Sequence, residues 1–539
     1  MEKLLQHWLT EQAEKQPDDV AVVMGERKLT YGMLETQSNR LAHLLKDRKC
    51  LRRERICILM PKSPESIISI FGVLKADAIY VPLDSEGPVS RTEKMIRKSR
   101  AKWILASGKV EHKLLKLLAS DDLNSSISIG WMSLTPPDDT IVEKLDFTAS
   151  DLQNYPDCQP EYRNRLEDPA HILFTSGSTG EPKGVINTHA NDMHFVDWGV
   201  RYFGITSRDR LSCHSPLHFD LSGFDIHAAI SAGAELHLVP PKINILPNLI
   251  ADFIRVHRLT QWFSVPSVLT LMANLDVVQE PDFPDLKRIL WCGEALPTSS
   301  IVYFMKRLPH VRFTNLYGPT ETTIASSYYT VPKCPDSESE DIPIGTACDG
   351  EQLHVLDVNN RPVKNSETGH LYITGKGVSP GYWEDPEITN SVFLPNPFSA
   401  DPTSRIYKTG DLASIREDGQ VRFHGREDDQ IKSRGYRIEL GEIEHALHSL
   451  NVTLECAIVA LPSDQIGSKI IGCAYVPVNG SPVESKDLRR KLSEALPAYM
   501  VPVVWKKMPA LPKNKNGKID RNMIIDKILN NASQTTENK

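Results

Sequence analysis

The feature that most constrains this chain is an alternation. Through the first 330 residues, short β-like apolar runs take turns with helix-like ones. Residues 55–60 (RICILM) and 78–83 read as buried strands, and between them Ile67, Ile68, Ile70, Phe71 and Leu74 share one helical face. This pattern predicts α/β layers with parallel sheet. Residues 171–175 predict a further strand, entered from a polar, proline-studded surface connection over 134–170. Residues 334–343 (CPDSESEDIP) read as an exposed loop, and short strands separated by Gly, Pro and Asn over 352–407 predict a small β-rich subdomain. Beyond Asp428, Ile443, Leu447 and Leu450 recur at helical spacing, residues 456–461 and 469–478 read as strands, and Leu488, Leu492 and Leu496 stripe a second helix. That is a compact α+β unit of about 110 residues. The expected fold class is therefore α/β, a large N-terminal body of layered subdomains with a small β-rich one, followed by a small α+β C-terminal domain.

Composition narrows the function classes. With 539 residues, 40% hydrophobic and 24% charged, the chain can bury a large core and is neither disordered, collagen-like nor disulfide-stapled. It holds no run of 18 apolar residues, which predicts no membrane-spanning helix, and its start lacks a basic flank followed by an apolar run, which predicts no secretory signal. Nine scattered cysteines without a C-x-x-C pair argue against a zinc ribbon or redox centre and for reduced cytoplasmic thiols. Residues 429–539 carry 16 Lys and Arg against 12 Asp and Glu, a balance of +4. The whole chain is at −7, which leaves −11 on the first 428 residues. That tail is too weakly basic for a nucleic-acid partner, although it suits a part that handles phosphates. A merely solvated surface accounts for it equally well.

The string Thr175-Ser-Gly-Ser-Thr-Gly-Glu-Pro-Lys-Gly184 follows the apolar run HILF. Gly177 and Gly180 let backbone N–H groups approach an anion, Thr175, Ser176, Ser178 and Thr179 add hydroxyl donors, and Lys183 brings charge. It lacks the Walker spacing, and on its own a plain flexible turn is the competing reading.

With the rest of the chain, this loop resembles the signature of the adenylate-forming superfamily, which holds acyl-CoA synthetases, luciferases and nonribosomal peptide synthetase adenylation domains. Further signatures occur in the family's order: Leu29-Thr-Tyr31, LKADAIYVPLD (74–84), FDLS (219–222), NLYGPTETT (315–323), GHLYITGKGVSPGYW (369–383), YKTGDL (407–412), GREDDQIKSRGYRIELGEIE (425–444), LPAYMVP (496–502) and NKNGKIDR (514–521). LKADAIYVPLD and GYRIELGEIE are similar to the amino-acid-activating branch. Asp77 departs from the family, which usually has glycine there, and predicts a local loop difference.

The resemblance implies roles. ATP would be held by residues 175–180 and Lys183, by Gly293, Glu294 and Ala295, by Asn315, Tyr317, Gly318 and Thr320, and by Asp411, Phe423, Arg426, Lys432 and Lys518. Asn315, Leu316 and Tyr317 would lie against adenine, Thr320 would touch the α-phosphate, Glu321 would hold Mg²⁺, and Asp411 would accept from both ribose hydroxyls. The implied catalytic set is Lys518, Glu321, Thr320 and Lys183. The simpler readings are a turn residue for Asp411, a helix N-terminal acid for Glu321 and a solvated lysine for Lys518. The resemblance further implies an N-terminal core over 1–427 and a mobile cap over 428–539 that rotates about a hinge at Asp428, with Gly435 lining a thiol's approach.

Asp220 stands where amino-acid-activating members keep an aspartate for the substrate ammonium, and a buried carboxylate opposite an acyl or aryl acid would be costly. The family's pocket pattern, beside Phe219, selects Asp220, Leu221, Phe224, Ser264, Leu290, Cys292, Leu316, Ile324, Ala325 and Lys518. That mostly apolar lining is similar to prolyl–carrier-protein ligases, while Ser264 and Cys292 leave alanine, cysteine or another small amino acid open. The resemblance thus implies a stand-alone, cytoplasmic, AMP-forming ligase of natural-product biosynthesis, using ATP and Mg²⁺, with L-proline leading. It would hand its aminoacyl group to the phosphopantetheine thiol of a separate carrier protein. An acyl- or aryl-CoA ligase and a catalytically silent scaffold are the rivals.

Overall fold

The computed structural model describes residues 3–119, 123, 127–177, 180–433, 435–462, 469–478, 484–515 and 518–536, the last six by backbone alone. The chain divides into two units. The first comprises Met1–Ser85, Met95–Phe174 and Gly184–Glu427, and the second Glu86–Lys94, Thr175–Lys183 and Asp428–Lys539.

Three sheets build the first unit. In a seven-stranded sheet the central strands Arg55–Leu59, Ile79–Pro82 and Trp103–Ala106 run parallel, linked by the amphipathic crossovers Pro64–Lys75 and Val89–Ser99. Ser63 caps the first crossover by accepting from Ser66 N (3.3 Å), and Pro64 occupies the first helical position, where its missing N–H costs nothing. A nine-stranded sheet carries six parallel strands among the described residues, Val20–Met24, Arg210–Cys213, Glu235–Leu238, Gln261–Ser264, Arg288–Cys292 and Arg312–Tyr317. One apolar cluster joins residues of both sheets to helices Leu5–Lys15, Tyr31–Asp47, His189–Phe203 and Asp220–Ala232. The third sheet is antiparallel, and spans Glu351–Leu356, Gly369–Gly375, Phe393–Pro395, Arg405–Ile415 and Val421–Arg426. It is the small β-rich part that the Gly- and Pro-punctuated stretch predicts.

Two local departures have clear causes. The connection over 134–170 is not bare loop: Phe147–Thr148 adds a parallel edge strand, and the turn Ala149–Asn154 follows. A two-residue strand gives too short a periodicity to detect. Asp77 adopts φ +60° and is buried. Its carboxylate accepts from Arg163 N (2.9 Å), Asn164 N (3.0 Å) and Lys46 Nζ (3.2 Å). The left-handed conformation explains a glycine preference there, and aspartate is among the side chains that tolerate it.

In the second unit, Thr453–Leu461 and Ile470–Pro477 pair antiparallel, and Val504–Lys507 adds a parallel edge. Helices Leu440–Ser449 and Ser485–Ser493 bury Ile443, Leu447, Leu488 and Leu492 against this sheet. Among the described residues, no helix is long and apolar enough to cross a membrane.

Candidate functional site

In the first unit, the carboxyl ends of the parallel strands of the nine-stranded sheet converge, the place where open α/β sheets bind ligands. Register sets Cys292 beside Leu316 and Leu290 beside Thr314, so alternate residues of both strands face the same layer. Leu290, Cys292 and Leu316 join Leu221, Phe224, Phe263, Ile324 and Ala325 in one apolar cluster. The intervening Ile289, Trp291 and Phe313 enter the other. Seven of the pocket residues predicted from sequence are thereby brought together. Ser264 is fully buried, but its hydroxyl is engaged by Trp262 Nε1 (2.9 Å) and Val265 O (3.3 Å), and Trp262 belongs to the opposite cluster.

Phe224 is fully buried in this cluster, with ring centroids at 5.3 Å from Phe195, 5.9 Å from Phe263 and 6.3 Å from Phe203. Its ring lies over Gly199, where a Cβ would stand 2.5 Å from Phe224 Cε2. That helix-interior glycine gives the Phe224 ring its room, a role not assigned to it from sequence. Glycine weakens a helix, so its presence at Trp198-Gly199 was the available signal.

Polar groups flank residues of this cluster in sequence. Asp220 opens the helix Asp220–Ala232, where the dipole favours an acid, and its Oδ2 accepts from Thr320 Oγ1 (2.7 Å). Glu321 follows in the short turn Thr320–Thr322 and is 1% exposed. Tyr382 donates its hydroxyl to Glu321 Oε1 (2.7 Å), and Ser379 N donates to the Glu321 carbonyl (2.9 Å). The GYW motif by itself gives Tyr382 no role; only the fold carries it across 61 residues to Glu321. The segment beyond this turn is strained. Thr323 and Ile324 hold φ +59° and +70°, values that a β-branched residue rarely adopts. Thr323 is secured through Asn187 Nδ2 (3.1 Å) and Gly377 O (2.7 Å), and Cys292 Sγ donates to Ile324 O (3.7 Å). Gly318 permits the close return, since a Cβ there would meet Ala325 Cα at 2.5 Å.

A second polar group lies in the same unit. Asp411 and Arg426 are cross-strand partners, and Arg426 NH1 donates to Asp411 Oδ1 (2.6 Å). Tyr317 donates its hydroxyl to Asp411 Oδ2, and burial beside that carboxylate pushes the phenol well above its ordinary range. Phe423 packs on Tyr317 with centroids 6.2 Å apart. Asn315 Nδ2 donates to Pro343 O (2.9 Å), Gly293 has φ +104°, Glu294 is half-buried and Ala295 exposed. This juxtaposes an aromatic face with a carboxylate held by a cation.

The remaining predicted residues lie in the second unit. Gly177 closes a turn on itself, since a Cβ there would meet Glu181 O at 2.1 Å, and Gly180 has φ +82°. Ser176 Oγ donates to Arg437 O (2.7 Å) and Lys183 begins the strand Lys183–Thr188. Ser178 and Thr179 lie outside the described residues. Lys432 sits on the strand Gln430–Ser433, whose partner strand is preceded by Gly435 at φ +80°. Asp428 Oδ1 accepts from Gln430 N (3.2 Å). Lys518 is exposed, and its backbone exchanges bonds with Asn514: Asn514 N to Lys518 O (2.7 Å) and Lys518 N to Asn514 Oδ1 (3.1 Å).

Comparison with known proteins adds to this geometry. The family model for AMP-binding enzymes matches residues 9–383, and the one for the AMP-binding enzyme C-terminal domain matches 442–518. The chain is 34% identical to tyrocidine synthase 3 of Brevibacillus parabrevis over 96% of its own length, yet spans only 7% of that much longer relative. It is 33% identical to zwittermicin A synthase ZmaJ of Bacillus cereus, covering 97% of this chain and 95% of that one. Its fold is that of the Vibrio cholerae adenylation domain AlmE, solved with glycyl-adenosine-5′-phosphate, at a TM-score of 0.84, 22% identity and 98% coverage of both chains.

Proposed function

This chain belongs to the AMP-binding enzyme family, and from that premise we propose that it activates a small apolar amino acid, L-proline foremost, as an aminoacyl-adenylate. It then passes the aminoacyl group to the phosphopantetheine thiol of a carrier protein. What supports this reading is one carboxylate, Asp220, tied to Thr320 and preceding Leu221 and Phe224 of an apolar cluster. A zwitterion with a short apolar side chain suits such a site: its ammonium meets Asp220, and beyond Asp220 and Lys518 the pocket pattern offers no charge to a charged side chain. Alanine, cysteine and other small amino acids are the alternatives.

In the first half-reaction a substrate carboxylate oxygen bonds to the α-phosphorus of ATP, and the bond from that phosphorus to the bridging oxygen breaks to release pyrophosphate. Asp220 orients the acid. Tyr317 presents its ring, while Asp411, fixed by Arg426, receives the ribose hydroxyls. Lys183 and Lys518 oppose the charge gathering on the phosphates, where catalysis is mostly positioning and electrostatics. Glu321 fits Mg²⁺, because that ion takes one or two carboxylates alongside substrate phosphates and water. Bound there, Mg²⁺ would neutralise phosphate oxygens; Tyr382 keeps the carboxylate aimed. In the second half-reaction a C–S bond forms at the carbonyl, the C–O bond to AMP breaks, and the thiol proton is lost to solvent. Rotation of residues 428–539 about Asp428 separates the two steps.

The test is ATP–pyrophosphate exchange across the twenty amino acids. Exchange with proline alone supports the lead, and exchange with alanine or cysteine alone redirects it. In a responsive case, Asp220→Ala raises the KM for the amino acid by tenfold to hundredfold, about the worth of one charged hydrogen bond, and leaves the KM for ATP unchanged. Silence with every amino acid, or thioester formation from acyl acids and coenzyme A, overturns the proposal.

A further inference from the structure

The opposite ends of the same parallel strands carry a feature that adenylation does not use. Arg210, Arg288 and Arg312 each open a strand of the nine-stranded sheet, and Arg288 and Arg312 are paired neighbours. A cavity of about 660 Å³ at this edge is lined by Arg208, Arg210, Arg258, Lys287 and Arg312, with one carboxylate, Asp285, and by His310. Like charges side by side on adjacent strands repel, so the arrangement costs stability unless something neutralises it.

The protein itself neutralises little of it. Arg258 takes Asp285 through two bonds (3.0 and 3.1 Å), and Arg210 NH2 stands 3.5 Å from the same carboxylate. Behind the cavity the buried Asp209 is shared by Lys287 and Arg288 (2.9 Å each). Among the described residues, neither Arg208 nor Arg312 forms an ion pair with a carboxylate. Backbone carbonyls hold several of the guanidiniums without cancelling their charge. Arg210 Nε donates to Arg258 O (2.7 Å), Arg312 NH2 to Phe203 O (3.2 Å), and Arg288 NH1 to the same oxygen (2.6 Å). The five lining cations and one carboxylate leave a formal +4, on a part of the chain whose first 428 residues total −11. The guanidiniums of Arg210 and Arg312, held in place by backbone carbonyls, and that of Arg208 beside them, unpaired among the described residues, match planar or tetrahedral oxyanions through paired N–H donors.

We propose that this groove is a binding site for a compact polyanion carrying two or more linked phosphate groups, separate from the ATP-handling residues at the carboxyl ends of the strands. The test is calorimetric titration of tripolyphosphate into the full chain at low salt, comparing the native protein with Arg208→Ala and with the Arg208→Ala/Arg312→Ala pair. The groove component is the binding lost in the pair. Its affinity should fall by about tenfold per guanidinium removed and steeply with added salt, with ATP–pyrophosphate exchange unchanged. Asp285→Asn should tighten it. Pyrophosphate and ADP should both displace it, since recognition rests on the linked phosphates. Arg208 makes no side-chain hydrogen bond or ion pair among the described residues, so its truncation tests the site without threatening the fold. Equal binding by the native protein and the double variant, looser binding by Asp285→Asn, or displacement by neither pyrophosphate nor ADP overturns the proposal.

Discussion

Removing one hydroxyl, through Tyr382→Phe, tests how Glu321 is held. The donor–acceptor distance is 2.7 Å, Glu321 is 1% exposed and Tyr382 6%, so water cannot replace the lost donor. The phenylalanine ring keeps its edge-on packing against Phe393, with centroids 5.7 Å apart. A hydrogen bond to a charged group contributes about 1.5–3 kcal/mol, equivalent to roughly tenfold to 150-fold. If Glu321 holds Mg²⁺ and Tyr382 aims it, that loss falls on ATP–pyrophosphate exchange. The rate at limiting Mg²⁺ should drop by this factor, the Mg²⁺ concentration for half-maximal rate should rise, and excess Mg²⁺ should restore part of the rate. A role confined to stability would lower the melting temperature without moving the Mg²⁺ dependence. Glu321→Gln supplies the control, because in that background Tyr382→Phe should cost far less. An unchanged rate at every Mg²⁺ concentration, or a loss that excess Mg²⁺ leaves untouched, refutes the reasoning.

Lys518→Ala should abolish most adenylation yet spare loading of a carrier from preformed aminoacyl-adenylate, and equal loss of both half-reactions sinks that assignment. Asp428→Pro should hold one conformer and uncouple adenylation from thioester formation; persistence of both rates places the hinge elsewhere. Gly199→Ala drives a Cβ to 2.5 Å from Phe224 Cε2 and should cost about 1–3 kcal/mol in denaturant titration, with a shifted amino-acid preference. Acid should destabilise the first unit in a defined window. Burial lowers His189 to about 3, and His214 and His227 to about 4, so these rings stay neutral in the folded state while the unfolded chain protonates them below its value near 6.5. Their contribution is present above that value and fades as pH falls toward about 4, at about 1.4 kcal/mol per pH unit for each ring. Burial raises Asp225 well above its ordinary range, which works in the opposite direction to the rings. Denaturant midpoints that stay flat from pH 7 to 5 contradict this account.

How much of the protein was legible in its residues depends on the length of the signal. Long apolar runs announced the layered α/β body, because a parallel strand buried on both faces needs an uninterrupted apolar stretch and its crossover helix needs one apolar face. Motif order announced the family, since backbone conformations such as Gly180 at φ +82° and Gly435 at φ +80° demand particular residue types at particular positions. Seven residues of the expected pocket pattern share one apolar cluster, because strand alternation and the Asp220–Ala232 helix carry residues so spaced to one layer.

Other features were decided only by folding. No local pattern relates Tyr382 to Glu321, Tyr317 to Asp411 or Gly199 to Phe224, as each pair is set by where two distant elements cross. Ser264 falls two residues from Trp262 and in register with Trp291, so strand alternation turns it to the other layer, a pairing that only the sheet's register supplies. The arginine groove is likewise invisible along the chain. Arg208, Arg258 and Arg312 lie far apart in sequence, and parallel register alone brings their strands' amino ends to one edge. Local sequence specifies elements and their faces; charge and hydrogen-bond partners come from elements that meet only when the sheet closes its register.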